Sequence, residues 1–107
     1  MPYAPLLSDD EIDLALQALP EWRREGETLV RTVRCPSFRD AMALVNRVAD
    51  AAEAADHHPD IDIRWRRVTF QLTTKAAGGL TGRDVEMAAT IDGLVPADAT
   101  GLESPGR

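Results

Sequence analysis

The sequence predicts an α+β domain: a four-stranded antiparallel sheet with three helices packed on one face, in the order α-β-β-α-β-β-α. Three observations lead there. Apolar residues recur at three- and four-residue steps in three separate stretches. Between these stretches lie two pairs of alternating, period-two runs. The runs of each pair are joined by so little chain that they pair as antiparallel neighbours. At 107 residues the chain has the length of one domain, read as 1–96 followed by a mobile tail over 97–107 that carries few large apolar groups.

Ser8 to Leu19 forms the first helix. Ser8 and Glu11 make a capping box, acidic residues fill the first turn, Ile12, Ala15, Leu16 and Leu19 share a face, and Pro20 closes the segment. Glu21 to Cys35 is a hairpin turning at Glu25-Gly26-Glu27, with Leu29, Val33 and Cys35 on one face of its second strand. Arg31 interrupts that face and is expected to snorkel at a sheet edge with its charge in water. The longest helix follows Ser37, which can cap with Asp40, and its apolar stripe is Phe38, Ala41, Met42, Val45, Val48, Ala49 and Ala52.

After Pro59, Ile61, Ile63 and Trp65 alternate with Asp62, Arg64 and Arg66, and Val68, Phe70 and Leu72 alternate with Thr69, Gln71 and Thr73. The phase of Trp65 fits core packing. Gly78-Gly79 gives a loop free to take positive φ. Thr81 then starts the last helix, which turns Met87, Ala88, Ile91, Leu94 and Val95 to the core and ends at Pro96. Helices on one face leave the other bare, so a second copy covering it or pairing with an edge strand is expected.

Composition excludes several classes of function. With 44% hydrophobic and 28% charged residues the chain reads as an ordinary folded domain. A net charge of -6 and a pI near 4.8 argue against a nucleic-acid footprint. Arg64, Arg66 and Arg67 are a local exception, read as the solvated face of a hairpin. The chain has no apolar run long enough to span a membrane and no leader-like N-terminus, and its one cysteine, Cys35, reads as a small buried hydrophobe. A cytoplasmic setting is expected.

Chemistry is concentrated in Glu53 to Lys75 and the GGLTGRD after it. His57 and His58 end a helical pattern that Pro59 stops, and a histidine titrating near pH ~6.5 can supply acid or base at neutral pH. On residue type alone, the pair is equally readable as turn residues favoured by a helix C-terminus. A metal site using Asp56, His57, His58, Asp60 and Asp62 fits less well, because adjacent residues rarely point at one ion and the histidines are not one helical turn apart. Asp84, three residues after Thr81, reads first as a capping-box carboxylate. Glu53 lies one helical turn before His57, and Lys75 ends a strand pattern beside the glycine loop.

Glu53-x-x-x-His57-His58-Pro59, Trp65 six positions after that proline, and Asp84 after a GLT turn together resemble the signature of the pterin-4a-carbinolamine dehydratase family, over about Thr28 to Leu94. The resemblance implies a cofactor-independent, metal-free dehydratase that converts 4a-hydroxytetrahydropterin to quinonoid dihydropterin, so that tetrahydropterin is recycled. It implies a homodimer or homotetramer; nucleic acid and membrane are excluded as partners by the charge and the lack of an apolar run given above, not by the resemblance. It places His58 as leading acid/base, His57 as its partner, and Asp84 and Glu53 as orienting groups. Asp56, Pro59, Trp65 and Thr74 would complete the substrate site with Glu53. Where the family has a third histidine this chain has Lys75, a residue that at neutral pH donates a hydrogen bond but does not accept a proton. Lys75 is therefore either the proton donor or the reason for weakened catalysis. Relatives of this fold that act as dimerisation cofactors or assembly factors supply the alternative, a protein-binding role without turnover.

Overall fold

The structure, a computed structural model, describes residues 4–101. Its elements are α1 (Asp9–Gln17), β1 (Arg23–Glu25), β2 (Thr28–Arg34), α2 (Phe38–Ala55), β3 (Asp60–Arg64), β4 (Arg67–Leu72), a 3₁₀ turn (Lys75–Ala77), α3 (Gly82–Leu94) and β5 (Thr100–Gly101). The main strands lie in the order β1-β2-β4-β3, every neighbour antiparallel. The expected α+β architecture is present. Thr100–Gly101, inside the stretch expected to be mobile, pair with Arg34 and Val33 of β2. Backbone pairing needs no apolar side chain, which is why composition gave no sign of it. The rest of that tail, 102–107, lies outside the described residues.

Local signals set the element ends. The Ser8–Glu11 capping box starts α1, with the Glu11 amide donating to Ser8 Oγ at 3.1 Å and the Ser8 amide to Glu11 Oε1 at 2.8 Å. Ser37 accepts the Asp40 amide at the start of α2. Gly26, at φ 61°, closes the first hairpin in a conformation that glycine adopts without steric cost.

Cross-strand register decides what each sheet face carries. Leu29 opposes Leu72, and Val33 opposes Val68, so these residues share the face toward the helices. There they form the core with Leu44 and Val48 of α2 and Met87, Ala88 and Ile91 of α3, while Ile63, the partner of Val68 on edge strand β3, is 40% exposed. On the opposite face Thr32, Thr69 and Asp62 form one cross-strand row, and Arg34, Arg67 and Arg64 the next. Among the described residues no helix is long and apolar enough to cross a membrane.

Three expectations are corrected. Arg31 does not snorkel at an edge: β2 is an inner strand, and the Arg31 guanidinium is buried and paired with Asp92 of α3, which also accepts the Trp22 indole N–H at 2.7 Å. A buried cation needs such a partner. Phe38, at the first position of α2, is 49% exposed, whereas Leu44, absent from the expected stripe, is fully buried. The stripe that meets the sheet is Ala41, Leu44, Val48 and Ala52. Trp65 is not in the core; at 71% exposure it begins the two-residue turn after β3, and at φ 55° it has left the strand conformation that carries the alternation of Ile61 and Ile63. Cys35 is buried as expected, and burial pushes its thiol pKa above the usual 9.0.

Candidate active site

The site is built where α2 ends. Asp56 takes the left-handed conformation (φ 52°, ψ 44°), which aspartate tolerates better than most residues. The His57 amide then donates back to Ala52 O at 3.1 Å. A single left-handed residue turns the chain sharply, so the two consecutive histidines leave α2 in different directions. His57 is buried and His58 is exposed. Pro59 follows, and β3 begins at Asp60.

Each imidazole has its own carboxylate. His57 Nε2 lies 2.6 Å from Asp84 Oδ1, and His58 Nε2 lies 2.6 Å from Glu53 Oε2 on the last turns of α2. The two pairs differ in setting, since Asp84 is fully buried and Glu53 is in solvent.

Asp84 sits in the first turn of α3, where the helix dipole favours an anion. Its Oδ2 accepts the Thr81 amide at 2.9 Å, completing the expected capping box, and the Thr74 hydroxyl at 2.8 Å. Thr74 Oγ1 also lies 2.8 Å from Thr81 Oγ1. With the Thr74 proton given to Asp84, the Thr81 hydroxyl must donate to Thr74, and Thr81 Oγ1 in turn accepts the Arg83 amide. An ionised Asp84 with every oxygen occupied can accept from His57 only if Nε2 carries the proton. In the neutral imidazole that fixes the tautomer and leaves Nδ1 with its lone pair.

Both histidines line one open hollow of about 340 Å³, at the small end of the range for ligand sites. Asp56, Pro59, Thr74 and Lys75 line it with them, so six of the nine expected site residues meet there. Asp84 and Glu53 stand behind the imidazoles rather than in the wall. Trp65 does not line the hollow; the length of β3 separates it from the histidines. Lys75 opens the 3₁₀ turn that Gly78 closes at φ 82°, and its side chain is exposed. Of the candidate metal ligands, Asp62 is instead 3.3 Å from Arg64 Nε.

Asp60, expected only as a metal-ligand candidate, also lines the hollow, and so do Gln71, Thr73, Ala76 and Arg83, which were not anticipated. Arg83 matters most. Its Nη2 donates to Asp56 O at 2.7 Å and Ala55 O at 3.1 Å, fastening the end of α2 to the start of α3. The sequence did contain a sign of this. A cation in the first turn of a helix opposes that helix's own dipole, so it calls for a different electrostatic partner, here the negative end of α2.

Comparison with known proteins shows the family. Residues 5–94 match the family model described as pterin 4 alpha carbinolamine dehydratase. A protein of Nocardia farcinica, named provisionally as a pterin-4-alpha-carbinolamine dehydratase, is 63% identical over 89 residues, covering 83% of this chain and 94% of its own. One of Roseiflexus castenholzii with the same provisional name is 53% identical over 92 residues, covering 86% and 99%. A crystal structure from Brucella melitensis, described as a transcriptional coactivator/pterin dehydratase, superposes with a TM-score of 0.81 at 29% identity, covering 84% of this chain and 98% of that one. The chain belongs to the pterin-4a-carbinolamine dehydratase family.

Proposed function

We propose that the chain removes water from a 4a-hydroxytetrahydropterin by histidine acid/base catalysis. Loss of the 4a-hydroxyl requires a proton on the departing oxygen while the C4a–O bond breaks. The N5–H proton must leave as the C4a=N5 bond forms. The products are water and the quinonoid dihydropterin, with no change of oxidation state.

The observation that carries this reading is that two imidazoles, each with a carboxylate at 2.6 Å, line one hollow of suitable size for a bicyclic ring. In the proposal His58, on the open side, handles the leaving oxygen with Glu53 supporting its protonated form. His57, with Nε2 committed to Asp84, presents Nδ1 to the N5 proton. Lys75 donates a hydrogen bond from the rim in place of a third imidazole, and Asp56, Pro59 and Thr74 shape the floor. Positioned general acids and bases contribute about 10²–10⁴-fold each.

The test is the breakdown of freshly made 4a-hydroxytetrahydropterin with and without the protein. Wild type should exceed the spontaneous rate at micromolar concentration, and His58→Ala should lose about 10²-fold or more of that excess. No excess, or an excess untouched by His58→Ala, would refute the catalytic reading. We place the reaction in a cytoplasmic homodimer or homotetramer that supports tetrahydropterin recycling; the exposed Phe38 and the open edge of β3 support self-association. A second reading, protein binding without turnover, is supported by the double name of the Brucella protein. A normal fold with no excess rate would favour it.

A further inference from the structure

Asp60 and Gln71 line the strand side of the histidine hollow, and acid/base catalysis uses neither. They are direct partners across β3 and β4, so their side chains leave the sheet next to each other on its helix-free face. We propose, on the basis of the dehydratase reading, that this pair recognises the pyrimidine edge of the substrate. The Asp60 carboxylate accepts from the 2-amino group and the adjoining N3–H, and the Gln71 side-chain amide donates to the C4 carbonyl. Together they restrict the site to 2-amino-4-oxo pteridines and reject the 2,4-dioxo class.

Both groups are without a task in the chain itself. Asp84 and Glu53 each hold an imidazole, and Asp62, two residues along β3, reaches Arg64 Nε at 3.3 Å. Neither Asp60 nor Gln71 has a side-chain hydrogen bond or ion pair among the described residues, although the cation Lys75 lines the same hollow. Aspartate is a poor strand former, and at the first position of β3 it is exposed and adds nothing to the core. An ionised carboxylate only accepts, and a glutamine amide can donate. Side by side they match, in order, an edge that presents two donors and then an acceptor. Asp56 lines the hollow too, but it takes the left-handed turn at the end of α2 and has no amide paired with it across a strand.

Spacing agrees with this assignment. At most about 7 Å of extended chain separates Asp60 from His58. In a pterin C2 lies directly across one six-membered ring from C4a, so a ring whose C4a–N5 bond meets the imidazoles carries its 2-amino edge toward the start of β3. Thr73 and Thr74 line the wall that runs from Gln71 to the His57–Asp84 pair. A site built to hydrogen-bond an N–H group rejects the analogue that lacks it, because its own acceptor then faces another acceptor. Asp60 and Gln71 are exposed to water, so the discrimination is about tenfold rather than the much larger ratios of buried sites.

The test is anaerobic calorimetry of the full chain with 6-methyl-7,8-dihydropterin and its 2-oxo counterpart 6-methyl-7,8-dihydrolumazine, neither of which has a 4a-hydroxyl to lose. Wild type should bind the dihydropterin at least tenfold more tightly. Asp60→Asn, whose amide can donate to a 2-oxo group, should weaken dihydropterin binding by about tenfold and leave dihydrolumazine binding unchanged or improved, so that the ratio falls toward one. Gln71→Glu sets an acceptor against the C4 carbonyl that both ligands share and should weaken both alike. Both positions are exposed, and unchanged circular dichroism checks that the variants fold. In the turnover assay Asp60→Asn should raise KM with kcat retained, because its partner atoms are not the reacting ones. Equal binding of the two ligands by wild type would overturn the proposal, as would a ratio untouched by Asp60→Asn or no binding of dihydropterin at all. A ratio that falls with Asp60→Asn in a chain without turnover would uphold it and refute the catalytic reading alone.

Discussion

The two ends of strand β3 handle charge in opposite ways. At its start, the buried carboxylate of Asp84 accepts from His57, Thr74 and the Thr81 amide, and Arg83 is spent on the carbonyls that end α2. At its far end three arginines stand in register across three strands, beside an exposed tryptophan held at positive φ. The first arrangement holds groups still by satisfying them. The second sets like beside like across the sheet. A change at the first end should therefore disrupt many partners at once, and a change at the second should relieve strain.

Asp84→Asn tests the first end hardest. An amide cannot accept at both positions: its NH₂ would face either His57 Nε2–H or the Thr81 amide and Thr74 hydroxyl, donor against donor. The expected cost is about 1–3 kcal/mol of stability for a buried unsatisfied group, read by urea denaturation. The turnover excess should fall by about 10²-fold, since His57 loses its fixed tautomer. A variant that unfolds at the wild-type urea concentration would mean that the network does not hold the site.

Glu53→Gln is the intermediate case. The His58–Glu53 pair has the same 2.6 Å separation as the His57–Asp84 pair but lies in solvent, where a charged contact contributes only about 0–1 kcal/mol. Stability should change little and the rate by about tenfold at most. An effect as large as that of Asp84→Asn would show that distance, not burial, sets the strength of these couplings.

How much of this the sequence disclosed follows from the range of each signal. The capping boxes of Ser8 and Thr81, the Gly26 turn and the period-two runs are local, and each appears where expected. Asp84 was first readable only as a cap, and it is one; its second task, receiving His57, joins residues 27 apart and depends on how α2 meets α3. Arg31 was misread because nothing local says that β2 is an inner strand or that Asp92 lies above it. Trp65 continued the period of Ile61 and Ile63, but periodicity cannot say where a strand gives way to a turn. Arg83 carried a local sign, a cation at the wrong end of a helix, whose explanation was 27 residues away.

The smallest expected effect, and the one of opposite sign, is Arg34→Thr. It removes the end member of the arginine row and substitutes a good strand former, extending the Thr32–Thr69 pattern one step along the same face. Relief of a directly opposed like-charge pair should stabilise the fold by about 0.2–1 kcal/mol, partly offset by the lost packing of the arginine stem. Electrostatic origin is checked by salt: between low and high ionic strength the gain should shrink toward zero, because exposed charges are screened within about 10 Å at 0.1 M. Urea must be the denaturant, since guanidinium chloride would itself screen the row. If Arg34→Thr were destabilising at low salt, the row would be a packing feature, and the contrast between the two ends of β3 would fail.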